Sequence, residues 1–334
     1  MNIEERIALI KRNTVEIVTE EELRTLLETK KEPVVYLGNA VTGRPHIAYF
    51  LWILKLKDFL DAGFKVKLLL ADLHGALDNC PWELLDKRYE YYKQCVLGML
   101  YAVGSDPEKI EFVRGSDIQK DGRYFEDVLK IATQASTRDA IRAGSEVVKQ
   151  SDNPKVAGLI YPIMQALDEE YLDVDVQYGG LDQRKILMFA REYLPKIGYK
   201  ARIEVMTPMI PGLIGEKMSA SDPNSKIDLL DNEKTVKKKI NKAECVAGEI
   251  NNGLLAYAKN VLFVINDTFV IERPEKFGGT ITYDSYEQLE QDFAEQKLHP
   301  MDLKMGVAAA ITSLLDKAQE KIDAGLGVEA YPEE

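Results

Sequence analysis

Cysteine is scarce. Cys80, Cys95 and Cys245 are the only three in 334 residues, with no CxxC pair and no histidine cluster beside them. That spacing excludes a disulfide framework, argues against a structural zinc site and points to a reducing, cytoplasmic setting. No apolar run approaches the roughly 20 residues that cross a bilayer, so no membrane partner is expected. The opening stretch MNIEERIALIKRN is too charged for a secretory signal. Internal repeats and low-complexity segments are absent. No GxGxxG follows the first predicted strand, which excludes a generic dinucleotide oxidoreductase in practice. Positive charge is in deficit, with 43 Lys and Arg against 55 Asp and Glu, a net charge of −12. An acidic average ordinarily speaks against a nucleic-acid partner, but binding needs only a local basic surface. The run Lys234 to Lys242, KTVKKKINK, is a candidate, and its plain reading is a solvated helix face.

What is present is a soluble globular composition, 46% hydrophobic and 29% charged, in a chain long enough for two domains. Buried strands are predicted at Glu32–Gly38, Lys65–Asp72, Lys109–Gly115, Leu172–Gly180 and Arg202–Pro208. Helices are predicted from His46 to Ala62, from Pro81 to Val103, as two segments over Tyr124 to Tyr171, and from Leu181 to Leu194. Strands alternating with helices specify a parallel sheet covered on both faces, with ligands at the carboxyl ends of its strands. After Ser225 the pattern turns mainly helical, so a second domain is placed from about Asp231.

Three strand ends carry polar residues that a plain core does not need. In YLGNAVTGRPHIAY, Gly38 and Gly43 flank a strand-to-helix turn and His46 falls in the expected first helical turn. Amide donors and the helix dipole there suit an anion, although a lone histidine is more often a cap or core residue. In YPIMQALD, Tyr161, Gln165 and Asp168 share one helical face, either a solvated stripe or a ligand wall. GGLDQRK sets Gln183 in the opening turn of the next helix. Finally, GEKMSAS places Lys217 among small hydroxyl residues, which suits either a loop closing over phosphates or an ordinary turn.

Taken together these segments resemble the tyrosyl-tRNA synthetases of the archaeal and eukaryotic cytosolic type, over nearly the whole chain. HIAY resembles that branch's variant of the class I HIGH signature, and KMSAS its version of the KMSKS loop. ADLHGALDN, YPIMQALDEEYL, GGLDQRK, SKIDLLD, RPEKFGG and HPMDLK are similar to family blocks in the same order. The resemblance implies a Rossmann-like doubly wound catalytic domain over 1–212, with a dimerisation insertion at about 115–154. A loop and linker at 213–230 and a helical anticodon-binding domain at 231–334 would follow.

It also implies the activity: tyrosine and ATP, with Mg²⁺, give tyrosyl-adenylate, and tyrosine then passes to the 3′ terminal adenosine of tRNA(Tyr). No tightly bound cofactor and no metal-ligating residues are expected. The positions matching the family's catalytic set are His46, Lys217, Ser219 and Ser221. Gly38, Gly43, Tyr49 and Met218 join His46 and Lys217 around ATP. Tyr36 and Asp168 match the readers of the substrate's phenolic hydroxyl, and Tyr161, Gln165 and Gln183 match the ammonium and ring positions. Phe277, His299 and Asp302 match an anticodon-base site, while Arg142 and Arg184 match acceptor-end contacts. Without the resemblance, Phe277, His299 and Asp302 read as a helix-domain core residue and an N-cap. A homodimer is implied. Two departures stand out: Ala48 and Tyr49 replace the glycine and last histidine of HIGH, and KMSAS lacks the second lysine. Tryptophan activation and a silent RNA- or protein-binding paralogue are the competing readings. Asp168 speaks against the first, and the complete amino-acid pocket against the second.

Overall fold

The computed structural model describes residues 1–147, 153, 155–213 and 226–332. Its centre is a six-stranded sheet: β1 (Glu16–Val18), β2 (Val34–Ala40), β3 (Lys65–Ala71), β4 (Ile110–Arg114), β5 (Val176–Gly180) and β6 (Ile203–Thr207). The spatial order is β1-β6-β5-β2-β3-β4. Strands β2 to β6 are parallel, as the apolar runs require: Val35, Leu37, Val66, Leu68, Leu69 and Leu70 are all buried, so both faces are covered. Strand β1 was not anticipated. Its three residues are too few to show a periodicity, and it pairs antiparallel with β6, Val18 opposite Glu204.

Helices α1 (Ile3–Lys11) and α2 (Glu20–Thr29) each open on a capping box, Asn2 with Glu5 and Thr19 with Glu22. The crossover from β2 to β3 is α3 (Tyr49–Asp61), which starts three residues later than predicted. Helices α4 (Asp72–Leu77) and α5 (Leu85–Ala102) lead to β4, and the predicted start at Pro81 is a single 3-10 turn over Trp82–Leu84. Between β4 and β5 stand α6 (Gly115–Gln119), α7 (Gly122–Ala132), α8 (Thr137–Gly144) and α9 (Ala157–Tyr171). From Tyr124 to Tyr171 the two expected segments are therefore three, because Ser136 caps a new helix in a capping box with Asp139. Helix α10 (Arg184–Tyr193) connects β5 to β6. Crossovers run from β2 toward β4 on one side and from β5 toward β6 on the other. They part between β2 and β5, which opens a crevice at those strands' carboxyl ends.

Beyond Asp231 come α11 (Glu233–Lys242), α12 (Gly253–Tyr257) and α13 (Phe263–Ile265). A β7 (Phe269–Ile271) and β8 (Ile281–Tyr283) pair follows, then α14 (Tyr286–Ala294), α15 (Pro300–Gln319) and α16 (Ala324–Ala330). The two-stranded pair, at three residues a strand, was also missed. Helix α15 packs directly on α5, where Gly98 lies against the Ala318 carbonyl, so the core continues from the sheet into the C-terminal helices. No helix among the described residues is long and apolar enough to cross a membrane.

Candidate active site

The crevice holds a cavity of about 320 Å³ lined by Tyr36, Gly38, His46, Tyr49, Tyr161, Gln165, Asp168 and Gln183. Residues from three separate sequence blocks thus meet in one place. The reason is topological: β2 delivers Tyr36 and Gly38, β5 delivers Gly179 and Gly180, and α9 lies across their ends. The spacing of Tyr161, Gln165 and Asp168 by four and three puts them on the buried side of α9, so the solvated-stripe alternative is set aside. Tyr161 is 7% exposed and Asp168 1%. The Gln165 amide donates to Gln183 Oε1 at 3.1 Å, and the Tyr36 hydroxyl donates to the Gln165 carbonyl at 3.3 Å.

Asp168 forms the inner wall. Its Oδ1 accepts from Gln119 Nε2 at 2.8 Å and from the Tyr124 hydroxyl at 2.8 Å. Its Oδ2 accepts from the same amide at 3.1 Å and lies 3.9 Å from His74 Nε2. Burial pushes the carboxyl up to about 7, and the Gln119 and Tyr124 hydrogen bonds oppose that rise. Burial also pushes His74 down to about 4, so its imidazole is neutral near pH 7. Its ring meets Tyr161 edge-on at 4.6 Å. Burial raises the Tyr36 hydroxyl well above its ordinary value, the Asp168 charge adding to the rise, so it remains a proton donor. Oδ2 carries one hydrogen bond against two on Oδ1, which leaves it the oxygen with acceptor capacity to spare.

At the outer end, His46 is 4% exposed and its ring centroid is 4.7 Å from that of Tyr49. The expectation that His46 stands in the first turn of a helix is corrected: α3 begins at Tyr49, and His46 forms an isolated antiparallel bridge with Asp228. The amides of Tyr49, Phe50 and Leu51 already donate to the carbonyls of His46, Ile47 and Ala48 at 2.9–3.1 Å. The anion donors expected there are therefore taken, and the helix dipole is what remains. The Ile47 amide donates to the Ile227 carbonyl at 3.0 Å and Leu229 to Pro45 at 3.3 Å, so Ile227–Leu229 is seated on the HIAY turn. Gly43 is absent from the lining; its carbonyl accepts from the Tyr92 hydroxyl. Lys217, Met218, Ser219 and Ser221 lie outside the described residues.

The remaining predicted positions lie elsewhere. Arg184 makes a two-pronged ion pair with Glu16 at 2.7 and 2.9 Å, and Arg142 pairs with Asp139 at 3.2 Å. Phe277 is 59% exposed. His299 is the N-cap of α15, its Nδ1 accepting from the Met301 amide at 3.1 Å, so the plain capping alternative describes this residue locally. Asp302 Oδ2 accepts from Arg273 at 3.3 Å, and Arg273 also donates to the Gly279 carbonyl at 2.9 Å. Arg273 thereby ties the Phe277 turn to the first turn of α15.

Sequence reasoning missed Gln119, Tyr124 and His74 around Asp168, Asp78 and Asp182 in the cavity lining, and Arg273. His74, Asp78, Asp182 and Arg273 stood inside quoted blocks and carried a signal. Tyr124 and Gln119 carried none, since only the packing of α6 and α7 against α9 brings them in. Among the described residues no group of three or more His, Cys, Asp or Glu is arranged to hold a metal ion.

Comparison with known proteins points to one family of tRNA synthetases. The family model described as tRNA synthetases class I (W and Y) matches residues 28–316. The cytoplasmic tyrosine–tRNA ligase of Gallus gallus is 51% identical over 323 residues, covering 96% of this chain and 61% of that protein. The tyrosine–tRNA ligase of Haloarcula marismortui is 46% identical over 342 residues, covering 100% and 99%. The crystal structure of tyrosyl-tRNA synthetase complexed with L-tyrosine from Archaeoglobus fulgidus superposes with a TM-score of 0.90 at 40% identity, covering 96% and 100%. The chain spans 61–64% of the length of the vertebrate relatives it matches.

Proposed function

The chain belongs to the class I tRNA synthetases of the W and Y group, and on that premise we propose that it is a tyrosine–tRNA ligase. The observation that carries the choice of amino acid is the buried pair Tyr36 and Asp168 at the inner end of the cavity. A phenol entering there donates its proton to Asp168 Oδ2 and accepts from Tyr36, whose hydroxyl turns from the Gln165 carbonyl. Phenylalanine leaves both groups buried and unpaired. Tyrosine-specific synthetases are themselves the known example of such discrimination, on the order of 10⁵-fold without editing. An indole presents no hydroxyl to the carboxylate, which disfavours tryptophan. Tyr161, Gln165 and Gln183 frame the ring and ammonium group, with Asp78 and Asp182 supplying negative charge nearby.

ATP, entering with Mg²⁺ on its phosphates, sits toward Gly38, His46 and Tyr49. The tyrosine carboxylate attacks the α-phosphorus, the bond to pyrophosphate breaks, and tyrosyl-adenylate remains. A hydroxyl of the terminal ribose of tRNA(Tyr) then attacks the activated carbonyl and AMP leaves. No covalent nucleophile from the chain is needed; positioning and charge stabilisation suffice. His46 contributes a donor at the reacting phosphate, and Lys217, Ser219 and Ser221 are assigned the rest on their motif alone.

Domain division at about 212 and 231 follows the same reading, with Phe277, His299 and Asp302 meeting an anticodon base and Arg142 and Arg184 the acceptor end. The Arg184–Glu16 pair is half-exposed on both sides, so a phosphate can replace Glu16 at a cost of about 0–1 kcal/mol. Homodimerisation through α7 and α8 is supported by Phe125, Leu129 and Ile141, which are 62%, 51% and 43% exposed. The test is charging of tRNA(Tyr) with labelled tyrosine by this chain alone. Charging that needs a further polypeptide would show that these 334 residues do not suffice.

A further inference from the structure

The sheet face that carries Tyr36 continues away from the cavity as a row of polar side chains. Pairing in register sets Tyr36 of β2 opposite Gln177 of β5, and Gln177 opposite Glu204 of β6. Residues opposite one another in neighbouring strands share a face at the strand spacing of about 4.8 Å. Gln177 also lines the cavity. Glu204 and Gln177 are buried, as is Glu169, which follows Asp168 on α9. Both carboxyl oxygens of Glu169, both of Glu204 and Oε1 of Gln177 have no hydrogen-bond partner among the described residues. Buried acceptors in such number, with no donor to meet them, call for a proton.

The cations around this cluster are committed elsewhere. Arg191 donates to the carbonyls of Val18 and Arg202 and to both oxygens of Glu22. Arg202 donates to the carbonyls of Val174 and Lys200 and to Glu170. Lys67, opposite Tyr36 on β3, donates to the Leu172 carbonyl at 2.8 Å. Burial raises Glu204, and the Glu169 charge raises it further, as does Glu22, while Arg191 and Arg202 oppose the rise. Burial raises Glu169 too, against Arg202 and Arg191, with Asp168 and Glu170 adding to the rise. The cluster also acts on the pocket: after burial and Asp168, the charges that raise the Tyr36 hydroxyl are those of Glu169 and Glu204.

We propose that Glu169 and Glu204 hold a proton between them and act as positioning residues for tyrosine selectivity, by way of Gln177 and Tyr36. The protonated carboxyl donates to Gln177 Oε1, which turns Gln177 Nε2 toward the Tyr36 hydroxyl. The Tyr36 oxygen then accepts, and its one proton is kept for the oxygen of a substrate phenol, whose own proton goes to Asp168. Ionisation reverses this order. A carboxylate only accepts, so the Gln177 amide turns over and its Oε1 takes the hydrogen bond of Tyr36. The phenol loses one donor. The proposal rests on the tyrosine reading above and extends it to the layer behind the pocket.

The test compares the full chain with Glu204→Met and Glu204→Gln by ATP–pyrophosphate exchange, using tyrosine and phenylalanine from neutral pH through about 8–9, where buried glutamic acids titrate. Dividing by phenylalanine cancels titration of the substrate amino group and any general loss of structure. In the wild type the tyrosine-to-phenylalanine ratio of kcat/KM should fall about 2- to 12-fold on the alkaline side, the worth of one neutral hydrogen bond. Glu204→Met, similar in shape but without a donor, should show that loss already at neutral pH. Glu204→Gln, which donates at every pH, should restore the neutral ratio and abolish the alkaline fall. A wild-type ratio that stays flat on the alkaline side overturns the proposal, as does a Glu204→Gln profile identical to wild type. Should Glu204→Met not fold, the Glu204→Gln profile decides by itself. Wild-type chain with no preference for tyrosine at any pH overturns the tyrosine reading itself, a separate outcome.

Discussion

Replacing Asp168 by Asn probes the inner wall with little change of shape. The carboxylate is 1% exposed and accepts from Gln119 and Tyr124, with Oδ2 left for a substrate hydroxyl. Losing a hydrogen bond to a charged acceptor costs about 1.5–3 kcal/mol, which is roughly a 10- to 160-fold change. That loss applies to tyrosine and not to phenylalanine, which makes no such bond. The tyrosine-to-phenylalanine ratio of kcat/KM, read by pyrophosphate exchange, should therefore fall by that factor. In the wild type the ratio should also fall as pH drops through about 7, because Asp168 then takes a proton. In the variant it should be flat over that range. The same proton also sets stability. The folded-state carboxyl is raised from 3.8 to about 7, so the native state holds a proton that the unfolded chain releases. Wild-type stability is therefore full below about pH 4 and is lost as pH rises toward 7, by ~4 kcal/mol at most. The melting temperature of Asp168→Asn should gain on the wild type across that window. A ratio altered less than threefold, or equal losses for both amino acids, would refute the assignment of Asp168 to the hydroxyl.

Tyr124→Phe removes a donor from Asp168 Oδ1, so the carboxyl should rise further and the midpoint of the tyrosine pH profile should move up by about one unit. An unmoved midpoint would show that Tyr124 only fills space. At Gly98 a Cβ would overlap the Ala318 carbonyl oxygen and lie 3.2 Å from Ile322 Cγ1. Gly98→Ala should consequently cost about 1–3 kcal/mol in denaturant unfolding, because α5 and α15 must separate, while exchange activity per folded molecule is kept. Asp302→Ala should spare pyrophosphate exchange and raise the KM for tRNA, by about 1–3 kcal/mol if it reads one base edge. The comparison is two-by-two, with natural tRNA and tRNA altered at the first anticodon base. Additive losses would mean that Asp302 acts by holding Arg273 and not by reading the base.

Much of the parallel sheet was legible, because runs such as KVKLLLAD are buried on both faces and end in punctuating residues. Strand β1 and the β7–β8 pair were not, since three-residue strands carry no period and owe their existence to a neighbour. His46 was misplaced because the apolar residues from Ile47 onward recur at helical spacing, whereas pairing with Ile227–Leu229 draws the turn out of the helix. Tyr36, Tyr161, Gln165 and Asp168 were found through helical spacing and family blocks. Gln119 and Tyr124 act on Asp168 from 49 and 44 residues away, a proximity no local pattern encodes.

Tyrosine-selective activation is measured by ATP–pyrophosphate exchange with the purified chain and tyrosine, tryptophan or phenylalanine supplied separately. Exchange that depends on tyrosine, with phenylalanine and tryptophan lower by several orders of magnitude, is the predicted result. Exchange supported equally by phenylalanine would contradict the role given to Asp168 and Tyr36. Exchange with tryptophan alone would contradict the amino acid, and none with any of the three would contradict the enzyme.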